Sequence, residues 1–335
     1  MKKIITIAII VVSMLAGVYF LTASSIFFQG DNNDQAYRDA FSRHYKMFAV
    51  EVPSRLDFSG EVVPVDDYNV RESLDKELLV NTYWHSNTIL MMKRAYRWFP
   101  VIEPILRKNN IPVDFFFLCM IESGLENVVS PAGASGFWQF LKSTGTSYGL
   151  EISTEVDERF HVEKATEAAC KYLRAAYGKF NNWTLAAASY NMGMEGLDSH
   201  LKTQKTNSYY DLQLNKETLR YVYRILAVKT IFYQPVRYGF YLRVKDLYPP
   251  VPTRVVTTDT TITDLADFCK EQKVSYRILK ELNPWLLKNT LTNKERKTYN
   301  ILLPRDGVVS YEKLMDREED PGKLFNDTLN VRNIR

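Results

Sequence analysis

The chain has 335 residues, 46% of them hydrophobic and 24% charged, enough to bury one substantial core and leave material for a smaller second module. A net charge of only +4, spread without a basic stripe, argues against nucleic-acid binding. The four histidines, His44, His85, His161 and His200, are scattered, and the three cysteines match no metal spacing, which argues against a zinc site.

Met1-Lys2-Lys3 precedes an uncharged apolar run from Ile4 to Phe28, which reads as an export signal with the lysines held in the cytoplasm. The run is longer than the roughly 7–15 residues of a cleavable signal core. It is therefore expected to remain as an inner-membrane anchor over 4–28, with cleavage after Leu21-Thr22-Ala23 and release to the periplasm as the alternative. No cysteine lies near its end, which disfavours a lipid anchor. Cys119 and Cys170 fall in apolar, helix-like stretches and read as buried free thiols, or alternatively as a bridge; Cys269 is the third.

Residues 29–70 read as a membrane-proximal segment that opens with a polar linker, Gly30 to Asp34. From Arg71 the pattern turns helical, with Leu74, Leu78, Tyr83, Ile89, Met92, Tyr96 and Phe99 at three- and four-residue spacing. Helices are expected to dominate to about Tyr233, the clearest being Glu163 to Phe180. Three prolines in Leu247-Tyr-Pro-Pro-Val-Pro-Thr253 stop any helix and mark an inter-domain connector. Beyond it the order is a strand at Arg254–Val256, helices at Ile262–Gln272 and Tyr276–Leu282, a strand at Tyr299–Leu303, and a polar tail over 306–335. The fold class is thus mainly α over 71–246, with a small α+β module over 254–305.

Pro112 and Asp114 suit the first turn of a helix through Phe115-Phe-Phe-Leu-Cys-Met-Ile-Glu122 that stops at Gly124. Glu122 lies seven residues after Phe115 and four after Leu118, on an apolar stripe near the helix C-terminus. Burial and the negative helix end both disfavour its ionised form and suit a general acid. Taken alone it reads more readily as a surface glutamate at a helix end. Ser130-Pro-Ala-Gly-Ala-Ser-Gly-Phe-Trp-Gln139 follows, where small residues would let a polymer approach, Trp138 would stack on sugars and Gln139 would hydrogen-bond them. Ala186-Ala-Ala-Ser-Tyr-Asn-Met-Gly193 ends a helix with Tyr190 and Asn191 before the glycine; each segment by itself also reads as a turn or cap.

Together and in this order, Ile121-Glu122-Ser123, Ser130 to Gln139, Val156-Asp-Glu-Arg159, Ala188-Ser-Tyr-Asn-Met-Gly193 and Leu219-Arg-Tyr-Val222 resemble the lytic transglycosylases of the goose-type lysozyme superfamily, glycoside hydrolase family 23, most closely their membrane-bound D type. The resemblance runs from about Tyr83 to Pro235 and implies a lysozyme-like helical domain. It makes Glu122 the acid/base and places Ser123, Ser130, Gln139, Tyr190, Asn191 and Tyr221 along a glycan groove. Ser123 and Tyr190 are the expected partners that orient Glu122. The chain departs from the family in having His161-Val162 where Asp-Pro is usual, and Ser189 for a common alanine. Thr261-Ile-Thr-Asp-Leu-Ala266, Val274-Ser275, Asn283-Pro284 and Ile301-Leu-Leu-Pro304 resemble a LysM module of βααβ plan, with its usual Gly-Asp-Thr degenerate as Asp259-Thr260-Thr261. Such a module either binds glycan or is purely structural.

The resemblance implies cleavage of peptidoglycan between N-acetylmuramic acid and N-acetylglucosamine, with a 1,6-anhydro end and no metal or organic cofactor. The implied partners are peptidoglycan strands and, through the anchor, the inner membrane. The rivals are a hydrolytic lysozyme, for which Glu126, Asp157 or Glu158 would supply a second carboxylate, and a non-catalytic peptidoglycan-binding scaffold.

Overall fold

Helix-forming stretches separated by short capped turns shape the protein, and its computed structural model describes residues 47–305 and 310–315 together with Gln35, Arg38, Asp39 and Ser42. The proposed anchor over 4–28 and most of the polar tail lie outside the described residues. Among the described residues no helix is long and apolar enough to cross a membrane. The chain divides into two units, residues 1–49 and residues 50–335, and every site discussed below lies in the second.

Asp67 sets the first helix: its carboxylate accepts from the N–H groups of Asn69 and Val70 at 2.9 and 3.1 Å, so α1 spans Tyr68–Tyr83, three residues earlier than the apolar pattern predicts. The pattern that reads as one helical stretch is two helices, because α2, His85–Lys108, begins after the single residue Trp84. α3, Phe115–Ser123, carries an unbroken apolar run and is buried from Phe115 through Met120. Its phenylalanines are gripped by edge-on rings from several elements: Phe58 on Phe115, Phe99 on Phe116 and Phe232 on Phe117. A short α4, Lys142–Ser147, precedes α5, Val162–Phe180, where Ala165, Ala168, Ala169 and Ala176 line the buried face. α6 (Trp183–Met192), α7 (Met194–Gln204) and α8 (Lys216–Tyr233) complete the helical body.

Residues 50–65, assigned from sequence to a membrane-proximal segment, add Val52, Phe58, Val63 and Val65 to this same core. The hairpin β1–β2, Asp57–Phe58 paired with Glu61–Val62, turns at Ser59 and Gly60, both with positive φ. The Asp114 carboxylate accepts from Ser59 N–H at 2.6 Å and from the buried Lys229 ammonium at 2.7 Å. Asp114 thus precedes α3 without capping it; its charge is committed to holding the hairpin, α3 and α8 together.

The C-terminal module follows the predicted plan. β3, Thr253–Thr258, pairs antiparallel with β4, Tyr299–Pro304, and α9 (Leu265–Gln272) and α10 (Tyr276–Leu282) lie between them. α9 starts at Leu265 rather than Ile262 because Asp264 caps it, while Ile262 bridges to Leu291. Asn283 is fully buried and staples α10 to β4: its amide donates to Leu279 O and Leu302 O, and its carbonyl accepts from Leu302 N–H. The module's core of Leu265, Leu279, Trp285, Leu286, Ile301 and Leu303 also takes in Val156 from the helical body.

Candidate active site

Glu122 projects from the last turn of α3 into a cleft of about 350 Å³. Gly124, with φ 62°, ends the helix directly after it and turns the chain away, which leaves the carboxyl at the cleft floor. Four helices form the cleft with stripes at helical spacing: Glu77, Asn81 and Trp84 on one wall, Asn87, Met91 and Arg94 on the next, and Arg220, Arg224 and Val228 from α8 opposite.

The Tyr221 hydroxyl donates to Glu122 Oε1. Burial pushes the Glu122 carboxyl up from the ordinary carboxylate range to about 7, against the opposing pull of the Tyr221 hydrogen bond and the Arg224 guanidinium, while Glu217 adds to the rise. Burial, then the Glu122 charge, raises the Tyr221 phenol well above its usual range, so it remains a neutral donor. Arg224 also donates to the Ile121 carbonyl at 3.1 Å, which ties α8 to the turn that carries the glutamate. The other cleft carboxylates are ion-paired: Glu77 takes Arg220 at 2.5 Å and Glu126 takes Arg94 at 2.5 Å.

Of the expected groove residues, Tyr221 touches the Glu122 carboxylate and Ser123 lines the same cleft. Ser123 and Tyr190 do not hydrogen-bond Glu122. Ser123 Oγ donates to Cys119 O and accepts from Leu125 N–H, and the Tyr190 hydroxyl donates to Trp138 O at 2.8 Å. Ser130 Oγ accepts from Ala134 N–H, Gln139 donates to Val128 O and Gly136 O, and Asn191 accepts from Thr218 and donates weakly to Glu217. Trp138, expected to stack on sugars, is wholly buried, and its indole N–H donates to Thr166 Oγ1 at 2.9 Å. It is part of the scaffold beneath the site.

In the 130–139 segment Gly136 likewise serves the protein's own backbone, whereas Ala132 and Gly133 are exposed. A Cβ on Gly136 would lie 1.9 Å from Arg159 O. The Arg159 guanidinium grips Asp157 with two nitrogens and donates to Gly133 O at 2.9 Å and Phe140 O at 3.1 Å. Glu158 accepts from Glu151 N–H and pairs with Lys164. The Val156-Asp-Glu-Arg159 segment is therefore a clamp on the 130–140 turn, and Asp157 and Glu158 are not free to activate water. Cys119, Cys170 and Cys269 are buried free thiols.

Sequence reading missed Arg224, Arg94 and Trp84. For Arg224 a signal existed, since it lies three residues after Tyr221 on the same face of α8.

Residues 100–213 match the family model of the Transglycosylase SLT domain, and residues 254–307 match that of the soluble lytic transglycosylase C-terminal LysM-like domain. The membrane-bound lytic murein transglycosylase D of each of two Escherichia coli strains is 31% identical over 190 residues, covering 55% of this chain and 41% of the relative. The chain thus spans less than half the length of the curated relatives it matches. A mainly helical body followed by a small two-stranded module agrees with the order of these two matches. The chain carries a Transglycosylase SLT domain followed by a soluble lytic transglycosylase C-terminal LysM-like domain.

Proposed function

We propose that this chain is a lytic transglycosylase of the bacterial cell envelope, cutting peptidoglycan between N-acetylmuramic acid and N-acetylglucosamine with Glu122 as its single acid/base. The observation that carries the reading is that, among the described residues lining the cleft, Glu122 is the carboxyl without an ion pair, its pKa raised by burial to about 7, beside Glu77 and Glu126 that are both ion-paired. A residue that must give and then retrieve a proton works best with a pKa near the working pH.

In the first step Glu122 gives its proton to the oxygen linking the two sugars, and the bond from that oxygen to the muramic C1 breaks through an oxocarbenium-like state, assisted by the 2-acetamido group. In the second, the Glu122 carboxylate takes the proton of the muramic 6-hydroxyl as that oxygen bonds to C1, which closes the 1,6-anhydro ring and restores the acid. No water is consumed. Tyr221 steadies the carboxylate between the steps, Ser123, Ser130, Gln139 and Tyr190 shape the groove by fixing the backbone around it, and Asn191 does so through the side chains of Thr218 and Glu217. The run over 4–28 would hold the enzyme at the inner membrane, within reach of nearby strands.

Purified full chain and Glu122→Gln are to be incubated with sacculi in heavy-oxygen water. The reading expects anhydro-ended muropeptides free of heavy oxygen from the wild type and none from the variant. Reducing ends carrying heavy oxygen would mean a lysozyme, and sacculus binding without products would mean a scaffold.

A further inference from the structure

All five tryptophans lie within the described residues, and four are committed to packing. Trp98 meets Phe137 edge-on, Trp138 is buried on Thr166, Trp183 stacks on Tyr177, and Trp285 lies between His161 and Tyr299. Trp84 alone is exposed, at 59%, and it lines the same cleft as Glu122. Exposed together with Val80 and Val128 in one cleft, this indole forms an apolar patch rather than a scattered surface residue, and such patches mark binding surfaces.

The position is also rigid. Trp84 is the single residue between α1 and α2; its N–H donates to Val80 O at 2.9 Å and its carbonyl accepts from Thr88 N–H at 3.2 Å. Thr88 Oγ1 in turn donates to Asn81 O, and the Asn81 amide donates to Glu77 O, so the wall is fixed down to the Glu77–Arg220 pair. Seven residues of helix separate Glu77 from Trp84, a rise of roughly 10 Å. Val80 and Val128 flank the cleft with 40% and 38% of their surface exposed, and Asn87 supplies an amide beside them.

We infer that Trp84 is a sugar-stacking platform that binds an N-acetylhexosamine ring of the glycan strand away from the cleaved bond. The inference rests on the function proposed above. The apolar face of a pyranose would cover the indole, and the neighbouring amide would meet the acetamido group. Because the ring acts on a sugar that does not react, its loss weakens binding of substrate and transition state alike and appears in KM rather than kcat.

The test uses the full chain and chitotetraose, a tetramer of β-1,4-linked N-acetylglucosamine, followed by tryptophan fluorescence. Wild type and Glu122→Gln should both respond on titration, and Trp84→Phe should bind without the response. Calorimetric titration, which needs no indole, should show Trp84→Ala binding chitotetraose roughly three- to tenfold more weakly, KM on sacculi should rise by the same factor with kcat nearly unchanged, and Trp84→Phe should recover part of that loss. No response in the wild type, a response that persists in Trp84→Phe, or an unchanged KM in Trp84→Ala would overturn the platform. Should the wild type release no anhydro ends yet respond through Trp84, the proposed chemistry falls and the stacking site stands.

Discussion

Burial and a phenol pull the Glu122 proton in opposite directions, and burial wins, so the acid form persists to about pH 7. The first chemical step needs that proton, and kcat/KM should therefore fall about tenfold per pH unit above about 7. Tyr221 stabilises the charged form, so Tyr221→Phe should move this alkaline limb to higher pH while lowering the maximum rate; an unmoved limb would show that the two groups are uncoupled. Stability carries the opposite signature. Between the ordinary carboxylate pKa and about 7 the unfolded chain loses a proton that the folded chain keeps, so wild-type stability falls as pH rises across that window. Glu122→Gln does not titrate, and its advantage should grow over the same window by on the order of 3 kcal/mol, read from urea melts at each pH. The glutamate and its apolar stripe were legible in the sequence because both are local. Its hydrogen-bond partner was not legible as a contact, because Tyr221 lies 99 residues away on another helix.

Whole elements were read well where caps and periodicity coincide, as at Tyr276–Leu282, which Ser275 caps. They were read poorly where one residue interrupts a continuous pattern, as Trp84 does between α1 and α2. The 130–139 turn was misread in part: Gly136 and Trp138 suggest an open surface, yet they serve close internal packing, while Ala132 and Gly133 are exposed. Two glycines there separate backbone strain from packing. Gly133 has φ 80° with open space around its missing Cβ, whereas Gly136, at φ 77°, faces Arg159 O at 1.9 Å. Gly133→Ala should cost only the strain, about 1 kcal/mol, and Gly136→Ala at least about 2 kcal/mol more as Arg159 is pushed off the turn. Equal losses in thermal melts would mean that the Gly136 approach contributes nothing.

At the scale of the molecule the βααβ order of the module was legible, and its seat was not. The proline run that reads as an inter-domain connector is itself docked: Tyr248 N–H donates to Lys93 O, Arg97 donates to Pro249 O, and the Tyr248 ring lies under both cations. The module then grips the 151–161 segment. Val156 bridges Leu286, Asp157 N–H donates to Trp285 O, Leu287 N–H donates to Glu155 O, and the Glu155 carboxylate accepts from Thr290 and Thr292. That same segment carries Arg159, the clamp on the 130–140 turn, so module and catalytic body share one strip of chain. Residues 50–305 should therefore unfold in a single calorimetric transition. Val156 is 2% exposed inside the module's core while Val255 is 56% exposed on β3, which makes Val156→Asp and Val255→Asp a matched pair. A buried unpaired carboxylate at 156 should split the transition in two and open the 247–253 run to protease, and the same charge at 255 should do neither. Two transitions already present in the wild type would mean that the module folds on its own and that the shared strip transmits nothing to the turn beneath Glu122.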